Sequence, residues 1–223
     1  MINNFKNTLV IAPHLDDETI ALGGTIKKLS KAKMQVNVII VGGHLPPLYS
    51  KKKYLTTKKE SKNALRILGV KKIFYLDVPA LEFHKNSYQI INKRINEIIN
   101  NLSPTAVFIP FPDRHIDHRT IFDCAMVNTR PNIKKHPKLV LSYETLSETH
   151  WNAPYIEPNF VPDFFINIDK FIKDKIKALK CYQSQIKSNQ SRSVKAVEAL
   201  AKFRGSQNGC KYAEGFKLIR VIV

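Results

Sequence analysis

At 223 residues the chain is long enough for one α/β domain with a sizeable core, and short for two, so residues 1–223 are expected to form a single domain. Its hydrophobic fraction of 43% and charged fraction of 24% are ordinary for a globular protein and exclude a disordered tail or a coiled coil. Lys and Arg number 36 against 18 Asp and Glu, a formal charge of +18, which attracts polyanions in general. The basic residues are mostly lysine, spread along the chain and matched to no nucleic-acid-binding motif, so they read as composition and not as a specific nucleic-acid surface.

No apolar run approaches the roughly 18 residues of a membrane span, and the start MINNFKNTLVIAPH lacks a secretory-leader pattern. Three widely spaced cysteines, Cys124, Cys181 and Cys210, fit free thiols better than a disulfide framework. The expected compartment is the cytoplasm.

The elements alternate in chain order. Thr8–Ala12 is a short apolar strand, followed by a helix over Thr19–Lys33 with Ile20, Leu22, Ile26 and Leu29 on one face. Gln35–Val41 is a second strand. After a Pro/Tyr/Lys-rich loop, Thr57–Leu68 has helical spacing, with Gly69 as its stop. Lys72–Leu76 is a third strand, Tyr88–Leu102 a helix, and Thr105–Ile109 a fourth strand ending at Pro110. A helix near Thr120–Val127 and a strand over Leu139–Tyr143 come next. The last third is less regular: a strand near Asp163–Ile168, helices near Lys170–Gln185 and Val194–Arg204, and a terminal strand in Phe216–Val223. Strands that are apolar on both faces, separated by helices, predict an α/β fold: a Rossmann-like three-layer αβα domain with a mainly parallel sheet.

The polar residues that stand out follow two of these strands. The first runs into Pro13-His14-Leu15-Asp16-Asp17-Glu18, and the fourth into Pro110-Phe-Pro-Asp-Arg-His115-Ile-Asp117-His118. In a parallel sheet wound 3-2-1-4-5 these strands are neighbours where the winding reverses, and ligands bind at their carboxyl ends. The two clusters are therefore expected to meet. His14 and Asp17, spaced i,i+3 at the start of a helical turn, can converge on a metal ion, and His118 can supply a third ligand. Two histidines, one carboxylate and an open fourth position suit catalytic zinc, with iron, cobalt or manganese as chemical alternatives. Glu18, i,i+4 from His14, is an alternative ligand. Asp16 is left beside the metal but off it, placed to take a proton from an attacking water. Asp117 can orient His115 and favour its protonated form, a donor for a developing oxyanion.

Each cluster alone has a plainer explanation: an acidic start is favourable for any helix, and His-Ile-Asp-His can be a polar loop. Their placement after two strands expected to be adjacent makes coincidence the poorer account. His44 follows the second strand, where it could face the cleft but reads as a solvated loop histidine; Asp77, at the end of the third, could equally hold a sugar hydroxyl or form a turn. His84, His136 and His150 have no ligand-like spacing, and Trp151 and Tyr155 read as packing residues.

Taken together, the two motifs resemble those of the PIG-L/LmbE superfamily of zinc-dependent de-N-acetylases, [A/P]-H-[P/x]-D-D-E and H-x-D-H. Further similarity lies in KESKNALRILG (Lys59–Gly69), SYETLSETHW (Ser142–Trp151) and RGSQNGCKYAEGF (Arg204–Phe216). Leu15 stands where the family often has proline, and Lys58-Lys59-Glu60 where its second helix often has arginine. The resemblance implies one zinc per chain on His14, Asp17 and His118, with Asp16 as general base, His115 stabilising the oxyanion and Asp117 as partner of His115. It implies hydrolysis of a linear amide, not a peptide bond: an N-acetyl group leaves an N-acetylglucosamine-type sugar conjugate, glycan or nucleotide-sugar as acetate and a free amine. It further implies a small-molecule N-acetylated sugar as partner, and homo-oligomers are frequent in the family. The lysine-rich stretch between Lys51 and Lys85 fits an anionic substrate. Two rival readings are a metallo-β-lactamase-like metallohydrolase, for which Asp113–His118 approximates H-x-H-x-D-H, and a basic Rossmann-like nucleotide- or nucleic-acid-binding module.

Overall fold

The computed structural model describes residues 2–84, 88–131, 136–186 and 191–223; Lys85, at the end of the lysine-rich stretch, lies outside them. Among the described residues seven strands form one sheet: β1 (Asn7–Ala12), β2 (Gln35–Gly43), β3 (Lys72–Pro79), β4 (Ala106–Pro110), β5 (Leu139–Tyr143), β6 (Phe164–Asn167) and β7 (Ala213–Val221). Their order is β3-β2-β1-β4-β5-β7-β6. Strands β1 to β5 pair in parallel, with the expected 3-2-1-4-5 winding, and β7 runs antiparallel between β5 and β6.

Alternation along each central strand divides the core in two. Leu9 and Ile11 of β1, Ile39 and Val41 of β2, and Val107 and Ile109 of β4 face α3 (Tyr88–Leu102) and α4 (Ile116–Asn128), meeting Ile91, Ile95, Ile99 and Ile121. Val10, Ala12, Val38, Ile40, Ala106 and Phe108 face the other way. There α1 (Asp17–Lys31), α2 (Lys51–Leu68), α5 (Ile172–Leu179) and α6 (Val194–Ser206) supply Leu22, Ile26, Leu65, Leu68, Ala178 and Ala201. Burial on both faces is why the strands read as continuous apolar runs. The three-layer αβα expectation holds.

Several boundaries differ from the sequence pattern, most of all three at helices; β7 also begins at Ala213, three residues before Phe216, and β3 runs on to Pro79. Helix α2 starts at Lys51, six residues before Thr57, because the Ser50 hydroxyl caps it by accepting the Lys53 N–H at 3.2 Å. Its first turns are lysine-rich and exposed apart from Tyr54, so they carry no apolar periodicity. Its other end follows the pattern: Gly69 adopts φ +84° and donates its N–H to the Leu65 and Arg66 carbonyls. Helix α5 is shorter than the expected Lys170–Gln185 and ends at Leu179; the chain turns there, and Tyr182 enters the core. Helix α4 begins earlier than expected, at Ile116.

Helix α1 is broken at Leu22, with φ −135° and ψ 27°. The N–H groups of Gly24 and Thr25 donate to the Glu214 carboxylate at 2.9 and 2.7 Å. Lys175 Nζ donates to the Ala21 carbonyl at 3.2 Å and pairs with Glu214 at 2.5 Å. A buried ion pair from α5 and β7 thus satisfies the backbone groups that the break releases. A Cβ on Gly24 would lie 2.7 Å from Ile168, so the second half of α1 is seated tightly. The short segment before the break carries Asp17 and Glu18.

Candidate active site

Because β1 and β4 pair directly, with Thr8 opposite Ala106 and Val10 opposite Phe108, the chain leaves both strands side by side at the carboxyl edge. This is the point where the winding reverses. The segments before α1 and α4 therefore face one another, and the residues expected to meet do so. Asp17 Oδ2 lies 3.3 Å from His14 Nδ1 and 3.5 Å from His118 Nε2. Ligand atoms of His14, Asp17 and His118 all lie within 4.8 Å of one another. Asp17 Oδ1 and His118 Nε2 are buried and have no hydrogen-bond partner among the described residues. A carboxylate oxygen and an imidazole nitrogen, both buried and unbonded, fit a divalent cation.

Glu18, the alternative ligand, turns away: its Oε1 accepts the Tyr182 and Thr19 hydroxyls at 2.7 and 2.8 Å. Burial pushes its carboxyl up to about 7.

Each converging histidine has a second carboxylate behind it. His118 Nδ1 is 2.9 Å from Asp113 Oδ2, and Asp113 also accepts the Thr149 hydroxyl at 2.8 Å and the His115 N–H at 3.0 Å. His14 Nε2 is 2.9 Å from Asp117 Oδ2, which also accepts the Leu81 N–H at 2.7 Å. Such carboxylates fix ring orientation and tautomer, leaving the other nitrogen to a metal. The expected pairing of Asp117 with His115 is corrected here. The Asp117 carboxylate is taken by His14 and Leu81, and its link to His115 runs through the backbone, the Asp117 N–H donating to His115 Nδ1 at 3.2 Å. The ring therefore carries its proton on Nε2. Burial, with His14 and His118 close by, holds His115 down to about 4.

The electrostatics favour a cation at the cluster. Burial alone would lower both histidines, yet the surrounding carboxylates outweigh it. Asp117 and Asp17 raise His14 to about 9, and Asp17 and Asp113 raise His118 to about 10. Conversely, burial would raise Asp17, but the two histidines hold it well below the usual carboxylate range. Asp16 feels the same charges, Asp17 adding to the effect of burial and the two histidines opposing it. It precedes α1 with a strained φ of +151°, and burial raises it to about 6 against the opposing charge of Arg192.

A cavity of about 190 Å³ opens on the cluster, with Asp16, His115, Tyr49, Leu81 and Arg192 among its walls. His44 also reaches it, edge-on to Tyr49 at 4.5 Å. Asp77 does not; its carboxylate accepts the Tyr54 hydroxyl and the Lys58 ammonium. Sequence reasoning missed Asp113 and Arg192 as site residues. Asp113 carried a signal in its fixed spacing to His118, whereas Arg192, far along the chain among serines, carried none.

The family model described as PIG-L, GlcNAc-PI de-N-acetylase, matches residues 9–128, more than half of the chain and all of the His14–Asp17–His118 cluster. The chain belongs to the PIG-L family. PIG-L membership makes it a de-N-acetylase, an amide hydrolase. A relative named diacetylchitobiose deacetylase, from Thermococcus kodakarensis, is 27% identical over 97% of this chain and 84% of its own length. A relative named probable N-acetyl-alpha-D-glucosaminyl L-malate deacetylase 2, from Bacillus cereus, is 26% identical over 81% of this chain and 84% of its own. The crystal structure of N,N'-diacetylchitobiose deacetylase from Pyrococcus horikoshii superposes with a TM-score of 0.77 at 26% identity, covering 96% of this chain and 84% of that one. The PIG-L assignment and the parallel strands β1 to β5 leave no room for the β-rich metallo-β-lactamase-like reading.

Proposed function

We propose that this PIG-L protein is a zinc-dependent hydrolase, with residues 1–223 as one catalytic domain, that removes the acetyl group from an N-acetylglucosamine-type sugar conjugate. The observation that carries this reading is the convergence of His14, Asp17 and His118, with Asp16 and His115 flanking them on a cavity wall. The two deacetylase relatives, named for N-acetylated sugars, support the substrate class.

His14, Asp17 and His118 would hold the metal, with Asp117 and Asp113 orienting the two rings. A zinc ion held there supplies a Lewis acid that lowers the pKa of water to about 7 and polarises a carbonyl oxygen. Asp16 takes the proton of the attacking water, and His115 donates its Nε2–H to the oxygen of the acetyl carbonyl as charge develops there. Asp16, then protonated, passes the proton to the departing amine. Lys53, stacked 4.4 Å over Tyr49 at the wall, favours an anionic group there. The three described cysteines are unpaired, which fits a reducing, cytoplasmic setting.

The test is acetate release from a panel of neutral and anionic N-acetylglucosamine conjugates, with and without chelator. The reading predicts release of acetate and free amine in equal amounts, abolished by chelator, restored by zinc and absent in Asp16→Asn. Turnover that survives chelation would refute the metal, and full activity of Asp16→Asn would refute the base.

A further inference from the structure

We propose that Arg192 is the positioning residue of the catalytic base: its guanidinium holds the Asp16 carboxylate at the cavity wall, apart from the metal ligands. This rests on the assignment of Asp16 as base. Asp16 is 2% exposed, and among the described residues its carboxylate has one side-chain hydrogen-bond partner, Arg192 Nη1, at 3.2 Å from Oδ2. Although Asp16 sits at the cap position of α1, its side chain makes no capping bond. Neither the helix nor a neighbouring hydroxyl fixes its direction. The adjacent Asp17 is committed to the histidines, so a free Asp16 carboxylate would be drawn to the same cation. A third group must keep the two apart.

Arg192 is built to do this because its other donors are anchored. Nε donates to Ser147 Oγ at 2.9 Å, and Nη2 lies 3.4 Å from Glu148 Oε1. The next residue, Ser193, caps α6 by accepting the Ala196 N–H at 3.2 Å, which fixes the backbone from which the arginine extends. One guanidinium therefore ties together the start of α1, the segment after β5 and the start of α6. Only a planar fork with several donors satisfies three acceptors in fixed directions; a lysine would act as a point charge. The side chain keeps 26% exposure, as expected of a group in the cavity wall. Since its bonds run to protein groups, its removal should slow the chemical step and leave substrate affinity nearly unchanged.

The experiment uses zinc-loaded enzyme and the best substrate of the panel. For Arg192→Gln and Arg192→Ala, kcat should fall about 100-fold, the scale of a misplaced catalytic group. KM should stay within about threefold, with zinc content at one per chain and an unchanged Tm. Arg192→Lys should recover part of kcat. Millimolar guanidinium should restore Arg192→Ala in a saturable manner while leaving wild type and Asp16→Asn unaffected. The proposal is overturned if Arg192→Gln keeps a kcat near wild type, if KM alone rises, or if zinc and Tm fall in step with activity. An active Asp16→Asn would instead remove the base assignment itself, and that variant is read separately.

Discussion

At the scale of single residues, the proposed metal site is built of pairs: a ring whose free nitrogen would face the ion and a carboxylate bonded to its other nitrogen. His118 depends on Asp113, and His14 on Asp117. Asp113→Ala should therefore weaken zinc affinity about 10- to 100-fold, measured by competition with a chromophoric chelator, while kcat at saturating zinc changes less. Removing His115 should give the opposite pattern. His115→Ala should lower kcat by about 100- to 1,000-fold with zinc retained, whereas His118→Ala loses the metal; an inverted result would show that the ligand set is misassigned. His14, Asp16, Asp17 and His118 were legible because they follow strands whose adjacency the alternating pattern implies. The role of Asp117 was not legible. A side chain two residues from one ring and about a hundred from another shows no preference until the backbone places it. Arg192 was invisible for the same reason, since a lone arginine between serines has no period and no motif.

At the scale of elements, α1 is interrupted at Leu22, beyond the first turn that carries Asp17. Lys175 with Glu214 satisfies the backbone groups on either side of that interruption. Lys175→Met leaves a carboxylate buried without its cation. It should cost about 3–5 kcal/mol, seen as a lower urea midpoint with an unchanged slope, and a stability within error of wild type would contradict this role. Apolar spacing revealed α1 but not its break, because Ile20, Leu22, Ile26 and Leu29 keep their periodicity across it. The early start of α2 was hidden in lysines that face solvent, and the early end of α5 follows from Tyr182 reaching Glu18, a contact that no local pattern encodes.

At the scale of the whole molecule, acid stability should carry the mark of a second buried ion pair. Burial would raise Glu144, yet His150 at 3.1 Å and the Arg204 fork at 2.8 and 2.7 Å hold its carboxyl below the usual 4.5. A depressed carboxylate stabilises the fold above its unfolded pKa, and that contribution is lost as pH falls through the folded value. Glu144→Gln should therefore be less stable than wild type at pH 7, and the difference should shrink as urea unfolding is repeated at successively lower pH below 4.5. A difference independent of pH would count against the pair. The layers and the 3-2-1-4-5 order of β1 to β5 were legible from alternation; the pairing of β5 with β7 and the bond from Arg204 of α6 to Glu144 were not, because they join residues sixty or more positions apart. The overall account turns on two remote strand ends sharing one ion. The most direct measurement is zinc stoichiometry, determined together with acetate release, for wild type and Asp17→Asn. One zinc per chain and turnover in wild type, with both lost in a folded Asp17→Asn, is the predicted result. Two zinc ions per chain, or an Asp17→Asn protein that keeps its zinc and its activity, would contradict it.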